Sequence, residues 1–269
     1  MSIELSLIGG GVMGEAILSR LLAQKIYQPD AVIVAEISQQ RRKYLHEKYK
    51  VLVTADNQQA LKASQVILLA IKPQIFQQVV KELNISPQTS DLPLIISILA
   101  GITLTQLESA WQNYPVIRAM PNTPATVGAG MTAIASGQRV KSEQVKLAKS
   151  IFAAVGEVVE VPEYLMDAVT GLSGSGPAYV AIAIEALADG GVAAGLPRRL
   201  AQQLALQTVF GTAVLIKQAN LHPAELKDRV TSPGGTTITG ITALEKARFR
   251  SALIEAVLRA AERSQELSK

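Results

Sequence analysis

The feature that most constrains the fold is a glycine-rich run that directly follows an apolar segment. Residues 9–14 read Gly-Gly-Gly-Val-Met-Gly, after the apolar run 3–8 and before a helical pattern over 14–23. A strand, a tight glycine turn and a helix in this order bring backbone amides to an anion at the helix N-terminus. We therefore expect a dinucleotide pyrophosphate to bind here, at Gly9, Gly11, Val12, Met13 and Gly14.

An acidic residue ends the second predicted strand. Glu36 closes the run 31–36, where a carboxylate ordinarily accepts from a ribose 2′-hydroxyl and repels a 2′-phosphate. Ser38, Arg41 and Arg42 follow it, and an arginine that reaches back would accommodate the phosphate. A solvated helix face explains the two arginines equally well. The sequence thus predicts NADP(H) or NAD(H) as cofactor and, because of Glu36, leaves the preference open.

The first 162 residues alternate short β-branched runs with amphipathic stretches, which is typical of βαβ units around a parallel sheet. The predicted strands are 3–8, 31–36, 66–70, 94–98, 116–120, 131–135 and 156–161. The predicted helices are 14–23, 39–49, 74–81, 104–110 and 142–154. We therefore predict an α/β fold with a Rossmann-type dinucleotide-binding domain over residues 1–162.

From residue 163 onward the strand patterns disappear. Residues 167–196, 198–218, 223–230 and 238–266 are predicted as helices, separated by Gly, Pro and Ser. The stretch 179–194 is apolar on nearly every face, which does not suit the surface of a monomer. We predict that 163–269 is an all-helical domain for dimerisation and substrate binding, which makes the protein a homo-oligomer.

The composition of the 269 residues excludes several classes of function. Cysteine is absent and only His46 and His222 are present, which argues against thiol chemistry and against a metal site. The 26 basic and 22 acidic residues are scattered, and one Trp and four Phe make no stacking platform, so we expect no nucleic-acid partner. The N-terminus has no signal-peptide pattern, and no apolar stretch approaches the roughly 20 residues that a membrane span needs. We expect a cytoplasmic protein that does not bind membranes.

Two further segments have the composition of ligand sites. Ala70, Lys72 and Pro73 follow the apolar run 66–69 at the predicted carboxyl edge of the sheet, although a buried strand closed by a proline turn would look the same. The loop 232–237, Ser-Pro-Gly-Gly-Thr-Thr, precedes a helix, and its amides and hydroxyls suit a carboxylate. If neither His46 nor His222 is catalytic, no strong general acid or base is available. Reduction of a C=N bond is then favoured, because an iminium accepts hydride without a developing oxyanion.

These segments resemble the pyrroline-5-carboxylate reductase family over nearly the whole chain. The residues that carry the resemblance are 167–179, 185–191, 195–197 and 230–237 in the second half, and 70–74 and 118–124 in the first. The resemblance implies hydride transfer from NAD(P)H to 1-pyrroline-5-carboxylate, giving L-proline in the last step of proline biosynthesis. It also implies a homodimer formed by interlocked helical domains, often assembled into a decamer, with the active site between chains.

The resemblance also assigns residues. It implies that Ser232, Gly235 and Thr236 hold the substrate carboxylate, and that Thr237 bonds the ring nitrogen as the best candidate proton donor. It places Asn57 at the adenosine side of the cofactor. The chain departs from NADPH-using relatives at Glu36 and Ile37, where they commonly carry small hydroxyl or basic residues that hold the 2′-phosphate.

Two alternative functions remain open on the sequence alone. One is another imine or β-hydroxyacid reductase with a Rossmann domain and a helical dimerisation domain. The hydroxyacid enzymes use a lysine on the long interdomain helix, and residues 179–194 contain none. The other is a cofactor-sensing module without turnover, which leaves the hydroxyl-glycine loop 232–237 unexplained.

Overall fold

The computed structural model describes residues 2–83 and 92–268, which form two compact units. The first unit comprises the chain up to Gly174 together with the segment from Ala260 onward, and the second comprises Ser175–Arg259. The α/β class, with a Rossmann-type first part and a helical second part, is confirmed. The domain boundary at residue 162 stays a prediction.

The first unit contains an eight-stranded sheet in the order β3-β2-β1-β4-β5-β6-β7-β8. Its strands are Leu5–Ile8 (β1), Val32–Ala35 (β2), Leu52–Thr54 (β3), Val66–Leu69 (β4), Leu94–Ser97 (β5), Val116–Met120 (β6), Gly130–Ser136 (β7) and Gly156–Glu160 (β8). All neighbours are parallel except β6 and β7. The strand order reverses at β1 and β4, which creates a crevice at their carboxyl ends where ligands of such sheets bind.

The seven predicted strands are confirmed to within a few residues, and β3 was missed. That strand has only three residues, none of them fully buried, so it lacks the apolar run that marks the others. Four of the inner strands, β1, β2, β4 and β5, are buried at every position because helices cover both faces of the sheet. The one polar side chain in β1, Ser6, is accommodated because its hydroxyl donates to the carbonyl oxygen of Ala60 at 2.6 Å.

Among the described residues, six α-helices accompany the sheet in sequence, namely Val12–Ala23 (α1), Gln39–Tyr49 (α2), Phe76–Glu82 (α3), Leu104–Ala110 (α4), Ser142–Ala153 (α5) and Met166–Val169 (α6). The predicted helix 74–81 is a 3₁₀ turn, Pro73–Ile75, followed by α3. Two apolar clusters, one on each face of the sheet, form the core of this unit. The clusters fix α1 and α2 against β1 and β2, and thereby position the glycine-rich turn.

The remaining helices are Gly176–Ala193 (α7), Arg198–Ala219 (α8), Pro223–Arg229 (α9), Thr236–Lys246 (α10) and Phe249–Leu267 (α11). Two predicted helices were wrong in their continuity. The helix predicted over 167–196 is interrupted by a π-helical turn, Thr170–Gly174, before α7 begins. The helix predicted over 238–266 breaks at Arg248, whose φ of 58° is left-handed.

In the first break, hydroxyls near two glycines bond to preceding carbonyl groups. Thr170 donates to the carbonyl of Met166 at 2.8 Å, and Ser173 donates to that of Val169 at 3.1 Å. Such bonds and the flexibility of glycine favour a widened turn. The break at Arg248 contains no glycine or proline, and for this reason the apolar periodicity predicted one continuous helix across it.

The second unit leaves many apolar side chains exposed. On α7 and α8 the exposed large ones are Val180, Ile182, Leu187, Leu200, Leu204, Leu206, Phe210 and Leu215. Within the unit, the buried cluster between these helices is small and consists of Ala188, Ala201 and Ala205. An apolar surface of this extent is typical of a protein–protein interface.

Candidate active site

A cleft of about 640 Å³ opens at the carboxyl ends of β1, β2 and β4. Six of the predicted cofactor-binding residues line it, namely Gly9, Gly11, Glu36, Asn57, Ala70 and Lys72. Val12, Met13 and Gly14 form the first turn of α1 beside it, and Pro73 begins the 3₁₀ turn that follows Lys72. The fold therefore brings the residues that the sequence singled out in this half to one crevice.

The glycine-rich turn is tight because its backbone approaches its neighbours. Gly9 has a φ of 103°, and a Cβ atom there would lie 2.6 Å from the carbonyl oxygen of Ala70. A Cβ atom on Gly14 would collide with the carbonyl oxygen of Gly9. Gly11, the N-cap residue of α1, has no protein atom within 4 Å of its Cβ position. The helix N-terminus is consequently open to an anion.

The carboxylate of Glu36 turns toward the glycine-rich turn. Its Oε2 accepts from the amide of Gly10 at 3.0 Å, and its Oε1 accepts from the amide of Ser38 at 2.9 Å. The two arginines of α2 contact backbone carbonyls instead of facing the cleft. Arg41 Nε donates to the carbonyl oxygen of Gly10 at 2.6 Å. Arg42 Nη1 donates to the carbonyl oxygens of Glu36 and Ile37 at 2.7 and 2.8 Å.

The opposite wall of the cleft combines polar and apolar groups. Asn57 donates through Nδ2 to Glu82 Oε2 at 2.8 Å, and Lys72 is exposed at the end of β4. Ile37 is 88% exposed and Ile75 is 42% exposed, and both line the cleft. Ile37 was singled out in the sequence as a departure from NADPH-using relatives, whereas Ile75 and Glu82 were missed. Nothing in the local sequence distinguishes these two residues from ordinary helix positions.

A reduced nicotinamide dinucleotide fits this donor set. The open helix N-terminus at Gly11 suits the pyrophosphate, the carboxylate of Glu36 suits ribose hydroxyls, and the exposed isoleucines suit the faces of a purine. When bound, such a cofactor supplies a hydride.

Across residues 2–83 and 92–268, no group of three or more His, Asp or Glu side chains converges to hold a metal ion. Nor does any helix in these ranges have the length and apolar character to cross a membrane.

The predicted substrate residues lie together in the second unit, at the N-terminus of α10. Gly234 has a left-handed φ of 65°, and a Cβ atom on Gly235 would collide with Ser232 Oγ. Gly235 is the N-cap residue and has no side chain to cap the first turn, in which Thr236 and Thr237 follow. Ser232 and Thr236 are exposed and Thr237 is half-buried. The loop thus presents hydroxyls and helix amides around one position.

Comparisons with known proteins cover the whole chain. A family model described as pyrroline-5-carboxylate reductase dimerisation matches residues 163–267, and one described as NADP oxidoreductase coenzyme F420-dependent matches residues 4–101. A protein named pyrroline-5-carboxylate reductase from Synechocystis sp. is 61% identical over 269 residues, which is 100% of each chain. The chain belongs to the pyrroline-5-carboxylate reductase family.

Solved structures of the pyrroline-5-carboxylate reductase family have the same fold. The structure from Coxiella burnetii superposes with a TM-score of 0.91 at 37% identity and covers 100% of both chains. The structure from Plasmodium falciparum, which has NADP bound, gives a TM-score of 0.88 at 32% identity over 99% of this chain and 98% of that one. The resemblance inferred from the motifs is therefore confirmed.

Proposed function

We propose that this protein reduces the C=N bond of 1-pyrroline-5-carboxylate to L-proline with a reduced nicotinamide dinucleotide, the last step of proline biosynthesis. Family membership over the full chain carries the proposal. The site chemistry supports it, because the cleft suits a hydride-donating dinucleotide and the 232–237 loop suits a carboxylate. An iminium accepts hydride without generating an oxyanion, so this reaction does not require either of the two histidines as a general acid.

The residue roles in this proposal follow the chemistry of the substrate loop. Ser232, Gly235 and Thr236 hold the substrate carboxylate through hydroxyl groups and helix amides. Thr237 donates a hydrogen bond to the ring nitrogen, which takes up one proton as the neighbouring ring carbon takes the hydride. Because a threonine hydroxyl is a weak acid, its part is to orient the imine and pass on a proton that solvent replaces.

We propose further that the enzyme prefers NADH to NADPH. The carboxylate of Glu36 is held at the strand end by the amides of Gly10 and Ser38, which keeps a negative charge near the adenosine ribose. Arg41 and Arg42 donate to backbone carbonyl groups and do not line the cleft, which places no positive charge of α2 against a 2′-phosphate there. Gly9, Gly11, Val12, Met13 and Gly14 hold the pyrophosphate, and Asn57, Ala70, Lys72 and Pro73 border the rest of the cofactor.

The assembly in this proposal is a homo-oligomer, at least a dimer, formed through the helical region 163–269. Exposed apolar residues on α7 and α8 support it, because a large uncovered patch of this kind destabilises a soluble monomer. Further association to a decamer and a cytoplasmic location remain parts of the proposal.

The test is the initial rate at which NADH and NADPH are oxidised in the presence of 1-pyrroline-5-carboxylate. Turnover with NADH above that with NADPH is expected. The ring compound 1-pyrroline, which lacks the carboxylate, serves as the matched control and should turn over much more slowly at the same concentration. Absence of turnover with both cofactors would contradict the proposed reaction, and equal rates for the two substrates would contradict the role of the 232–237 loop.

A further inference from the structure

Side chains hold the Gly10 peptide in the glycine-rich turn from both sides. Glu36 Oε2 accepts from the amide of Gly10 at 3.0 Å, while Arg41 Nε donates to its carbonyl oxygen at 2.6 Å. Arg41 Nη2 lies 3.5 Å from the carbonyl oxygen of Gly11. The backbone N–H and the carbonyl oxygen of Gly10, which belong to the two successive peptide units on either side of its Cα atom, thus both have a side-chain partner, and α1 begins at Val12.

Arg41 is itself held in place by a cluster between α1 and α2. Its Nη2 forms an ion pair with Glu15, and its guanidinium lies 4.9 Å from the ring centroid of Tyr44. Glu15 Oε1 accepts from the hydroxyls of Tyr49 and Tyr44 at 2.6 and 2.9 Å and from Lys48 Nζ at 3.1 Å. Four side chains donate to the Glu15 carboxylate and hold it in place. The ion pair with this fixed carboxylate in turn restricts the conformations of the Arg41 side chain.

Glu15 stays ionised at any pH at which the enzyme would work. Burial by itself would raise the pKa of this carboxyl group, but the hydrogen bonds from Tyr49, Arg41, Lys48 and Tyr44 outweigh it and lower the pKa to about 2. The Glu15 side chain is only 17% exposed and that of Arg41 28%, so solvent screens this pair less than it screens the other ion pairs of α2.

We propose that Arg41, anchored by Glu15, is a positioning residue for the dinucleotide: it fixes the Gly10 peptide so that the amides at the start of α1 face the pyrophosphate before the cofactor arrives. The inference rests on the proposed cofactor, and it assigns a role to two residues that do not line the cleft.

The physical basis is preorganisation. A turn with three consecutive glycines has a large conformational entropy when free, and the cofactor would have to order it on binding. The guanidinium of Arg41, which donates to the Gly10 carbonyl oxygen, orders the turn before the cofactor binds and so lowers the entropy lost on binding. The forked guanidinium is required, because one end reaches the peptide while the other reaches Glu15.

The experiment measures binding of NADH and of ADP-ribose, without substrate, to the parent protein and to four variants. Arg41→Met keeps much of the aliphatic volume and removes the fork. Arg41→Lys keeps the charge and removes the fork. Glu15→Gln removes the anchor. Lys43→Met is the matched control on α2, where Lys43 forms only an exposed pair with Glu47 at 3.9 Å.

The Kd of both ligands is expected to rise about tenfold in Arg41→Met, because this variant loses a hydrogen bond from a charged group and about 1.4 kcal/mol corresponds to a factor of ten. Glu15→Gln should show a smaller rise in the same direction, and Lys43→Met none. Arg41→Lys should recover only part of the loss. In steady state, Arg41→Met should raise the KM for NADH while kcat and the KM for the imine change less than twofold.

Full recovery in Arg41→Lys would show that charge alone suffices and would overturn the positioning role. Unchanged Kd values in both Arg41→Met and Glu15→Gln, with circular dichroism like that of the parent, would overturn it as well. If Arg41→Met fails to fold, Glu15→Gln decides alone. A parent protein that binds NADH but does not reduce the imine would overturn the proposed reaction and leave this test intact.

Discussion

Replacing Glu36 with serine is expected to shift the cofactor preference toward NADPH. The parent carboxylate accepts two backbone hydrogen bonds, which fix it at the end of β2. By Coulomb's law, two like charges about 5 Å apart repel by about 1 kcal/mol in water and about 3 kcal/mol at an effective dielectric constant near 20. Serine removes this repulsion, and it removes a hydrogen bond to a ribose hydroxyl worth about 1 to 2 kcal/mol.

These two effects act in opposite directions on the two cofactors. The kcat/KM for NADH should fall roughly tenfold, and that for NADPH should rise roughly tenfold, since 1.4 kcal/mol is a factor of 10. The ratio of the two would therefore change about a hundredfold. Initial rates at varied cofactor and saturating imine measure both constants, and Glu47→Ser on the exposed side of α2 is the control.

Unchanged constants for both cofactors in Glu36→Ser would refute the argument, because the carboxylate would then be too far from the ribose to act on it. An equal loss with both cofactors would also refute the charge argument. It would mean that Glu36 serves only to hold the Gly10 amide.

Three further substitutions test separate parts of the account. Gly9→Ala places a Cβ atom 2.6 Å from the carbonyl oxygen of Ala70 at a left-handed φ, so about 3 kcal/mol of unfolding free energy should be lost in urea titrations, together with NADH binding; a stable variant would contradict the tight turn. Glu163→Gln weakens the partner of Arg118, whose side chain is only 5% exposed, and should cost about 2 kcal/mol of unfolding free energy, whereas no loss would show that the pair is dispensable. Thr237→Ala should slow single-turnover hydride transfer roughly a hundredfold while NADH still binds, and Thr237→Ser should restore most of the rate; unchanged transfer in the alanine variant would remove this residue from the mechanism.

The glycine-rich turn and the sheet were predictable because their signals are local. The glycine-rich turn could be recognised because a strand, the glycines and a helix start follow one another in one short stretch, although the contact that excludes a Cβ atom at Gly9 is with Ala70 on a distant strand end. The inner strands were readable because they are covered on both faces and their sequences are continuously apolar. Both patterns can be recognised from neighbouring residues in the sequence, although tertiary contacts are the reason for them.

Two of the features that escaped prediction have no recognisable signal in the neighbouring sequence. The orientation of the Arg41 side chain is set by Glu15, 26 residues earlier, and by the Gly10 carbonyl oxygen. The sequence of α2 alone predicts only a charged, solvent-exposed helix. The break at Arg248 contains neither glycine nor proline, so the local sequence does not indicate that a helix ends there. Long flexible side chains and isolated left-handed residues are set by packing and not by periodicity.

The central claim is that a hydride from the nicotinamide reaches the imine carbon. Its most direct test is to supply NADH deuterated at the transferring position together with 1-pyrroline-5-carboxylate and to analyse the product by mass spectrometry and NMR. The expected product is L-proline that carries one deuterium at the ring carbon next to nitrogen and remote from the carboxylate. Proline without deuterium, or oxidation of the cofactor without proline, would contradict it.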